Sequence, residues 1–305
     1  MANIAPNRFK DKADLGTIGA YFSLLKPRVM SLAIFTALCG QILALRSSST
    51  THPILFLIAL LSIAMGAGAA GCINMWYDRD IDRKMERTKN RPIPAGAVKS
   101  EEALGLGVIL SIISIVLLGL ASNFLASFLL ASSILFYVFV YTVWLKRRTY
   151  YNIVIGGAAG ALPPLIGWAS ITGGINFFPV ILFLLIFIWT PPHFWALSLF
   201  SKNDYEKAGL PMLPNVLGKK ITIKSIIKYS YFLYLISLLP FLLNYSGKLY
   251  LTVSISLNTI FLYKAYAIKS KDSVVSAKKL FKFSILYLFL IFIVLVVDNF
   301  LIFYW

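Results

Sequence analysis

An all-α integral membrane protein with nine transmembrane helices is the architecture this sequence predicts, and three observations predict it. Hydrophobic residues make up 59% of the 305 and charged residues only 13%, against about 25% charged in an ordinary soluble domain. The apolar residues fall in long runs, of the length a helix needs to cross about 30 Å of hydrocarbon. Of the 29 Lys and Arg, 27 lie on alternate connections between those runs, and the intervening connections hold only Arg46 and Lys248. Alternating ten-residue segments, the mark of a membrane β-barrel, are absent. Helices are the form such runs must take, because each spanning segment has to pair its own backbone polar groups.

The elements follow in order. Residues 1–27 form a polar, basic segment ahead of a single transmembrane domain over 28–303. The first span, 28–46, starts beside Lys26 and Arg28 and closes at Arg46. The second, 53–76, runs into the acidic and basic stretch "NMWYDRDIDRKMERTKNRP" at 74–92. The third and fourth, 101–120 and 124–145, are joined by the short "ASN" and close on Lys146, Arg147 and Arg148. The fifth and sixth, 151–171 and 177–199, are joined by "TGGIN". Six basic residues, Lys202 to Lys228, separate the sixth from the seventh, 228–244. The eighth, 249–268, and ninth, 281–303, flank a last basic region, Lys264 to Lys282. This asymmetry places the N-terminus in the cytoplasm and the C-terminus outside.

The net charge of +17 is thereby read as a topology signal and a means of holding anionic lipid head groups of the bilayer; no nucleic-acid partner is expected. Cys39 and Cys72 lie in apolar segments and imply no disulfide framework. The first apolar run begins late and lacks a cleavage site, and Asp11 and Asp14 argue against a transit peptide, so the bacterial inner membrane is the expected location. Two basic-side loops are long, about 77–100 and 200–227. Long loops in compact folds are commonly functional. They stand four spans apart, which suggests two four-helix halves plus a ninth helix, although no sequence repeat supports the duplication.

Both long loops carry carboxylates. Asn74, Asp78 and Asp82 are spaced at i, i+4 and i+8, one face of a helix. On a continuous helix they make an oxygen-bearing stripe rising about 12 Å. Magnesium takes oxygen ligands, typically one or two carboxylates completed by substrate phosphates and waters, so the stripe predicts a Mg2+ site with Asp204 of the second loop as a further ligand. Asp78, Asp82 and Asp204 are the candidate catalytic residues, and Asn74 joins them as a metal ligand. Arg91, Lys146, Arg147 and Lys207 are candidate diphosphate donors, Arg in forked geometry. The plainer alternative is a set of head-group ion pairs. Polar residues inside a membrane segment, such as Asn74, favour function. A substrate for this site is amphipathic: anion at the rim, hydrocarbon below. The glycines of spans two and five, including Gly66, Gly68, Gly71, Gly156, Gly157 and Gly160, are read as helix-packing positions; no strand precedes them, which excludes a P-loop or dinucleotide motif.

The pattern Asn74-x-x-x-Asp78-x-x-x-Asp82 followed by Arg91-Pro92 resembles the UbiA-type intramembrane prenyltransferase superfamily. "LKRRTYYNIVIGGAAGALPPLIGWASITG" (145–173), "WTPPHFWALSLF" (189–200) and "DYEKAGLPMLP" (204–214) are similar to its protohaem IX farnesyltransferase branch. The likeness runs from about Lys26 to Gly218; the last three spans match mainly by hydrophobicity. It implies farnesyl diphosphate as donor, haem b as acceptor, haem O as product and Mg2+ as cofactor, and names haem A synthase or a terminal-oxidase assembly as a candidate contact. Many superfamily members carry a second acid four residues after the position of Asp204, where this chain has Ala208. His193, after Pro191-Pro192, is the candidate haem-binding residue. Eleven residues separate it from Asp204, so one unbroken helix would place both on one face. A structural histidine bonded to a carbonyl that the prolines free is the alternative. Two other functions share features of the pattern: prenyl transfer to another ring, and secondary transport of an anionic amphiphile, which midplane charges and broken helices would favour.

Overall fold

The computed structural model describes residues 16–47, 51–269 and 273–301. Asp11, Asp14 and the end of the predicted ninth span, 302–303, lie outside the described residues. Fourteen α-helices occur among those described: α1 (Gly16–Leu24), α2 (Pro27–Ala44), α3 (Pro53–Tyr77), α4 (Arg79–Asp82), α5 (Ser100–Ala121), α6 (Phe124–Leu135), α7 (Asn152–Ala161), α8 (Pro163–Thr172), α9 (Phe177–Phe200), α10 (Lys202–Lys207), α11 (Leu213–Val216), α12 (Gly218–Leu242), α13 (Lys248–Ala267) and α14 (Ser273–Leu301). A π-helical stretch, Phe136–Leu145, continues α6. α7 and α8 divide one predicted span at Leu162, ahead of Pro163-Pro164; proline lacks the donor that a continuous ladder needs.

Among the described residues, eight helical segments are long and apolar enough to cross a membrane. The predicted eighth span is helical as α13, with 20 residues, yet it is not among those eight. Its polar side chains explain this. Asn258 Nδ2 donates to Ser237 Oγ of α12 (2.7 Å), and Tyr287 Oη of α14 donates to Asn258 Oδ1 (3.0 Å). Asp298, almost fully buried, accepts from the backbone N–H groups of Gly247 and Tyr250 at the start of α13. The polarity is satisfied inside the bundle, as buried groups require.

Several spans reach further than hydropathy indicates. α12 starts at Gly218 and α14 at Ser273, so Lys219, Lys220, Lys224, Lys278, Lys279 and Lys282 lie on helical turns. Lysine stems can follow an apolar surface while the ammonium stays in water.

The two predicted halves share their interior. One apolar core joins Ala37, Ile63, Leu130, Ile166 and Ala169 from α2, α3, α6 and α8; a larger one joins α2, α8, α9, α12, α13 and α14. α2 and α8 contribute to both and meet closely. A Cβ built on Gly40 would lie 2.1 Å from the Pro164 carbonyl oxygen, and one on Gly167 would lie 2.2 Å from that of Ala37. Gln41 Nε2 donates to Ser170 Oγ across the same crossing (3.2 Å). Small residues permit this backbone approach. The sequence reading singled out neither glycine.

Candidate active site

The start of α2, the end of α3, the end of the π-helical stretch and the start of α7 meet at one end of the bundle. Asn74 is the hub. It lies on the last turn of α3, buried, and its carboxamide bonds in three directions. Lys26 Nζ donates to Asn74 Oδ1 (2.6 Å), and Asn74 Nδ2 donates to Asp78 Oδ2 (2.8 Å) and Thr142 Oγ1 (3.0 Å). Thr142 in turn donates to the Tyr137 carbonyl (2.8 Å), within the π-helical stretch. π-Helical geometry frequently marks functional sites. Here it presents Thr142 to Asn74 and brings Lys146 to Asp78.

The stripe is present, with a break. α3 stops at Tyr77, and Asp78 takes φ −87°, ψ 7° before the short helix α4. The Asp78 N–H still bonds Asn74 O (3.0 Å) and the Asp82 N–H bonds Asp78 O (2.8 Å), so the spacing survives the break. Asp78 is 0% exposed and Asp82 1%. Buried carboxylates need partners. Lys146 Nζ donates to Asp78 Oδ2, and Arg147 reaches Asp78 Oδ1 at 3.6 Å. Arg91 donates to Asp82 Oδ2 (2.7 Å). Arg147 also forks onto Asp80 (2.7 and 2.8 Å), and that guanidinium holds the Asp80 carboxyl below its ordinary range. Glu86 lies beyond α4, exposed, paired with Lys89.

The second loop reaches the first. The Arg87 N–H donates to Asp204 Oδ2 (3.3 Å). Ile81 and Met85 pack with Tyr205, Ala208, Leu210 and Met212, and Tyr141 and Phe194 pack against this cluster. Asp204 is half-buried on α10, and Lys207 is exposed on the same short helix. Among the described residues Asp204 makes no ion pair. No three His, Cys, Asp or Glu side chains among them form a ready metal cage. A fit for magnesium comes instead from Asp78 Oδ1, which is buried and takes no hydrogen bond. Such an atom suits a cation that draws most of its ligands from substrate phosphates and water.

Lys26, which the sequence marks only as a basic residue beside the first span, joins this cluster. It adopts the left-handed region, φ 51°, ψ 52°, just before α2, a costly conformation for a side chain with a Cβ. Burial, then the neighbouring Arg91 and Lys146 charges, lower its ammonium to about 7. A left-handed lysine carries no sequence signature, so spacing alone could not place it here.

His193 stands apart from the carboxylates. α9 ends at Phe200 and Ser201 turns the chain, so the continuous helix to Asp204 does not form. The imidazole is buried between Trp189 (ring centroids 4.3 Å apart) and Phe281 (4.6 Å). Its Nδ1 is 2.6 Å from Ser284 Oγ on α14, and the Trp189 indole donates to the Ser284 carbonyl (2.8 Å). Trp195 faces Tyr229 on α12 (5.1 Å), and Trp144 is exposed.

Below the rim lies an apolar cavity with about 510 Å³ of empty space, its open side included. Ala70, Ala67, Gly66 and Ile63 line it from α3. They continue, at intervals of three and four, the helix face that ends in Asn74. Tyr137, Met30 and Gly160 line it from the facing helices.

Comparison with known proteins identifies the family. The UbiA prenyltransferase family profile matches residues 33–303. A protoheme IX farnesyltransferase of Parvibaculum lavamentivorans is 52% identical over 293 residues, 94% of this chain and 91% of the relative. One of Acidiphilium cryptum is 52% identical over 299 residues, 95% and 93%. Among solved structures, one from work on digeranylgeranylglyceryl phosphate synthase in membranes superposes with TM-score 0.74 at 24% identity, over 93% of this chain and 98% of that one. A UbiA homologue from Archaeoglobus fulgidus, bound to DMAPP and Mg2+, gives 0.67 at 18%, over 89% and 98%. With its family profile covering most of the sequence and relatives identical at half their positions, the chain belongs to the UbiA prenyltransferase family.

Proposed function

We propose that the enzyme transfers the farnesyl group of farnesyl diphosphate to a vinyl group of protohaem IX, with addition of water, giving haem O and diphosphate. The observation that carries this reading is the continuity of the α3 face, from Asn74 and Asp78 at the rim into the apolar cavity. One surface thus accommodates an anionic head and a hydrocarbon tail. The acceptor is inferred from the names of the relatives at 52% identity.

Asn74, Asp78, Asp82 and Asp204 would hold magnesium, which supplies Lewis-acid charge to the leaving diphosphate. Lys26, Arg91, Lys146, Arg147 and Lys207 bring ammonium and guanidinium donors to the same oxygens, Arg with its forked geometry. Preorganised charge aimed at a developing anion is the main source of acceleration at such a site. The C1–O bond of the donor breaks and its electron pair leaves with the diphosphate. A new bond joins C1 to the terminal vinyl carbon. Water adds to the adjacent carbon and loses a proton. The cavity walls align the tail and keep water from C1 before the acceptor arrives. With Nδ1 engaged by Ser284, His193 Nε2 is the nitrogen that would meet haem iron, a ligation imidazole commonly makes. The basic excess supports the reading that this end of the bundle faces the cytoplasm of a bacterial inner membrane, with the less apolar α13 as the remaining span.

Purified enzyme given Mg2+, haem b and farnesyl diphosphate yields, on this reading, a product heavier than haem by one farnesyl group and one hydroxyl. Transfer only to a phenolic acid, with haem recovered unchanged, rejects the acceptor. His193→Ala changes or weakens the absorbance spectrum of bound haem; an identical spectrum removes His193 from the haem site.

A further inference from the structure

We infer that Gly160, above a floor formed by Ile63, Leu130 and Ile166, sets the length of isoprenoid that the cavity admits. The inference rests on the prenyl-transfer reading and deepens it. Gly156 and Gly157 are buried, and an added methyl would meet the Tyr141 ring at 2.2 Å and Thr190 at 3.0 Å respectively. Gly160 lies one turn on, flanked by those two directions, yet it is exposed and a methyl there meets nothing within 4 Å. It lines the cavity, and a side chain added there has open space to enter. The packing role read from sequence holds for Gly156 and Gly157 and not for Gly160.

Depth follows from helix rise. Gly160 lies eight residues into the membrane from Asn152, which anchors α7 at the rim through its bond to the Lys146 carbonyl. That is roughly 12 Å; Ile166 lies beyond it, in α8. Ile63, Leu130 and Ile166 are each at most 2% exposed and belong to one packed cluster, so the cavity is walled off on that side. A side chain at position 160 shortens the lumen part way down without pushing on the backbone. Removing bulk at the floor lengthens it.

Equilibrium binding of geranyl, farnesyl and geranylgeranyl diphosphate, with Mg2+ and enzyme in nanodiscs, tests this, followed by product masses with haem b. Gly160→Phe lowers affinity for farnesyl relative to geranyl diphosphate by about ten-fold or more, the discrimination that hydrophobic pocket volume supplies. Leu130→Ala acts oppositely and raises relative affinity for geranylgeranyl diphosphate; it decides the matter if Gly160→Phe does not fold. Wild-type chain-length order in a folded Gly160→Phe and in Leu130→Ala overturns the inference. Length-dependent binding that shifts as stated, with no haem product, leaves the gauge standing and rejects the acceptor. No prenyl diphosphate binding by the wild type overturns both.

Discussion

Asp78→Asn abolishes diphosphate release, lowering turnover by about 10²–10³-fold or more, the scale of losing one electrostatic group at a reacting anion. The substitution keeps the volume and removes the charge. Asp78 is fully buried, accepts from Asn74 and Lys146, and retains one oxygen without a hydrogen bond. An amide at 78 leaves Lys146 facing a neutral group and offers a divalent cation a poor ligand. The fold survives, because the carboxylate sits at a helix junction whose backbone bonds, Asp78 N to Asn74 O and Asp82 N to Asp78 O, do not involve the side chain. Single-turnover assays of diphosphate release at saturating Mg2+, beside gel filtration in detergent, check this. Unchanged turnover removes Asp78 from the chemistry.

Gly40→Ala destabilises the fold where Asp78→Asn does not. The added methyl would lie 2.1 Å from a backbone carbonyl of α8, which cannot rotate away as a side chain can. α2 and α8 must separate, opening the crossing on which both apolar cores depend. Overpacking of this kind costs about 1–3 kcal/mol and more where backbone must move. Gly105→Ala is the control. Nothing lies within 4 Å of a methyl there, and Ala is favoured over Gly in a helix interior by roughly 0.5–1 kcal/mol. Thermal unfolding in detergent is therefore expected to fall by several degrees for Gly40→Ala and to hold or rise for Gly105→Ala. Equal midpoints would show that the α2–α8 crossing is not tight.

Asp78 belongs to a pattern legible in the sequence; the Gly40 crossing does not. Runs of apolar residues with basic flanks located the helices, since both signals arise from the bilayer itself. The i, i+4, i+8 spacing from Asn74 located the carboxylate face, which persists through the break at Asp78. Convergence of the two long loops was legible because both carry acids on the basic side. The break itself, the turn at Ser201 and the π-helical stretch depend on tertiary contacts and leave no periodic trace. Lys26 reaches Asn74 through a left-handed backbone, which lysine seldom adopts. Which cation serves which carboxylate depends on side-chain placement, so Lys146 with Asp78 and Arg91 with Asp82 emerge only from the structure. Gly40 and Gly167 carry no motif between them; their pairing depends on how two helices cross.

Electron paramagnetic resonance of Mn2+ in place of Mg2+, titrated into detergent-solubilised enzyme with farnesyl diphosphate, tests most directly whether acids from both connections share one ion-bound diphosphate. Convergence predicts that Mn2+ uptake strengthens when the diphosphate is present, and that Asp78→Asn and Asp204→Asn each weaken that diphosphate-dependent uptake. Wild-type uptake in either variant, or uptake indifferent to the diphosphate, contradicts it.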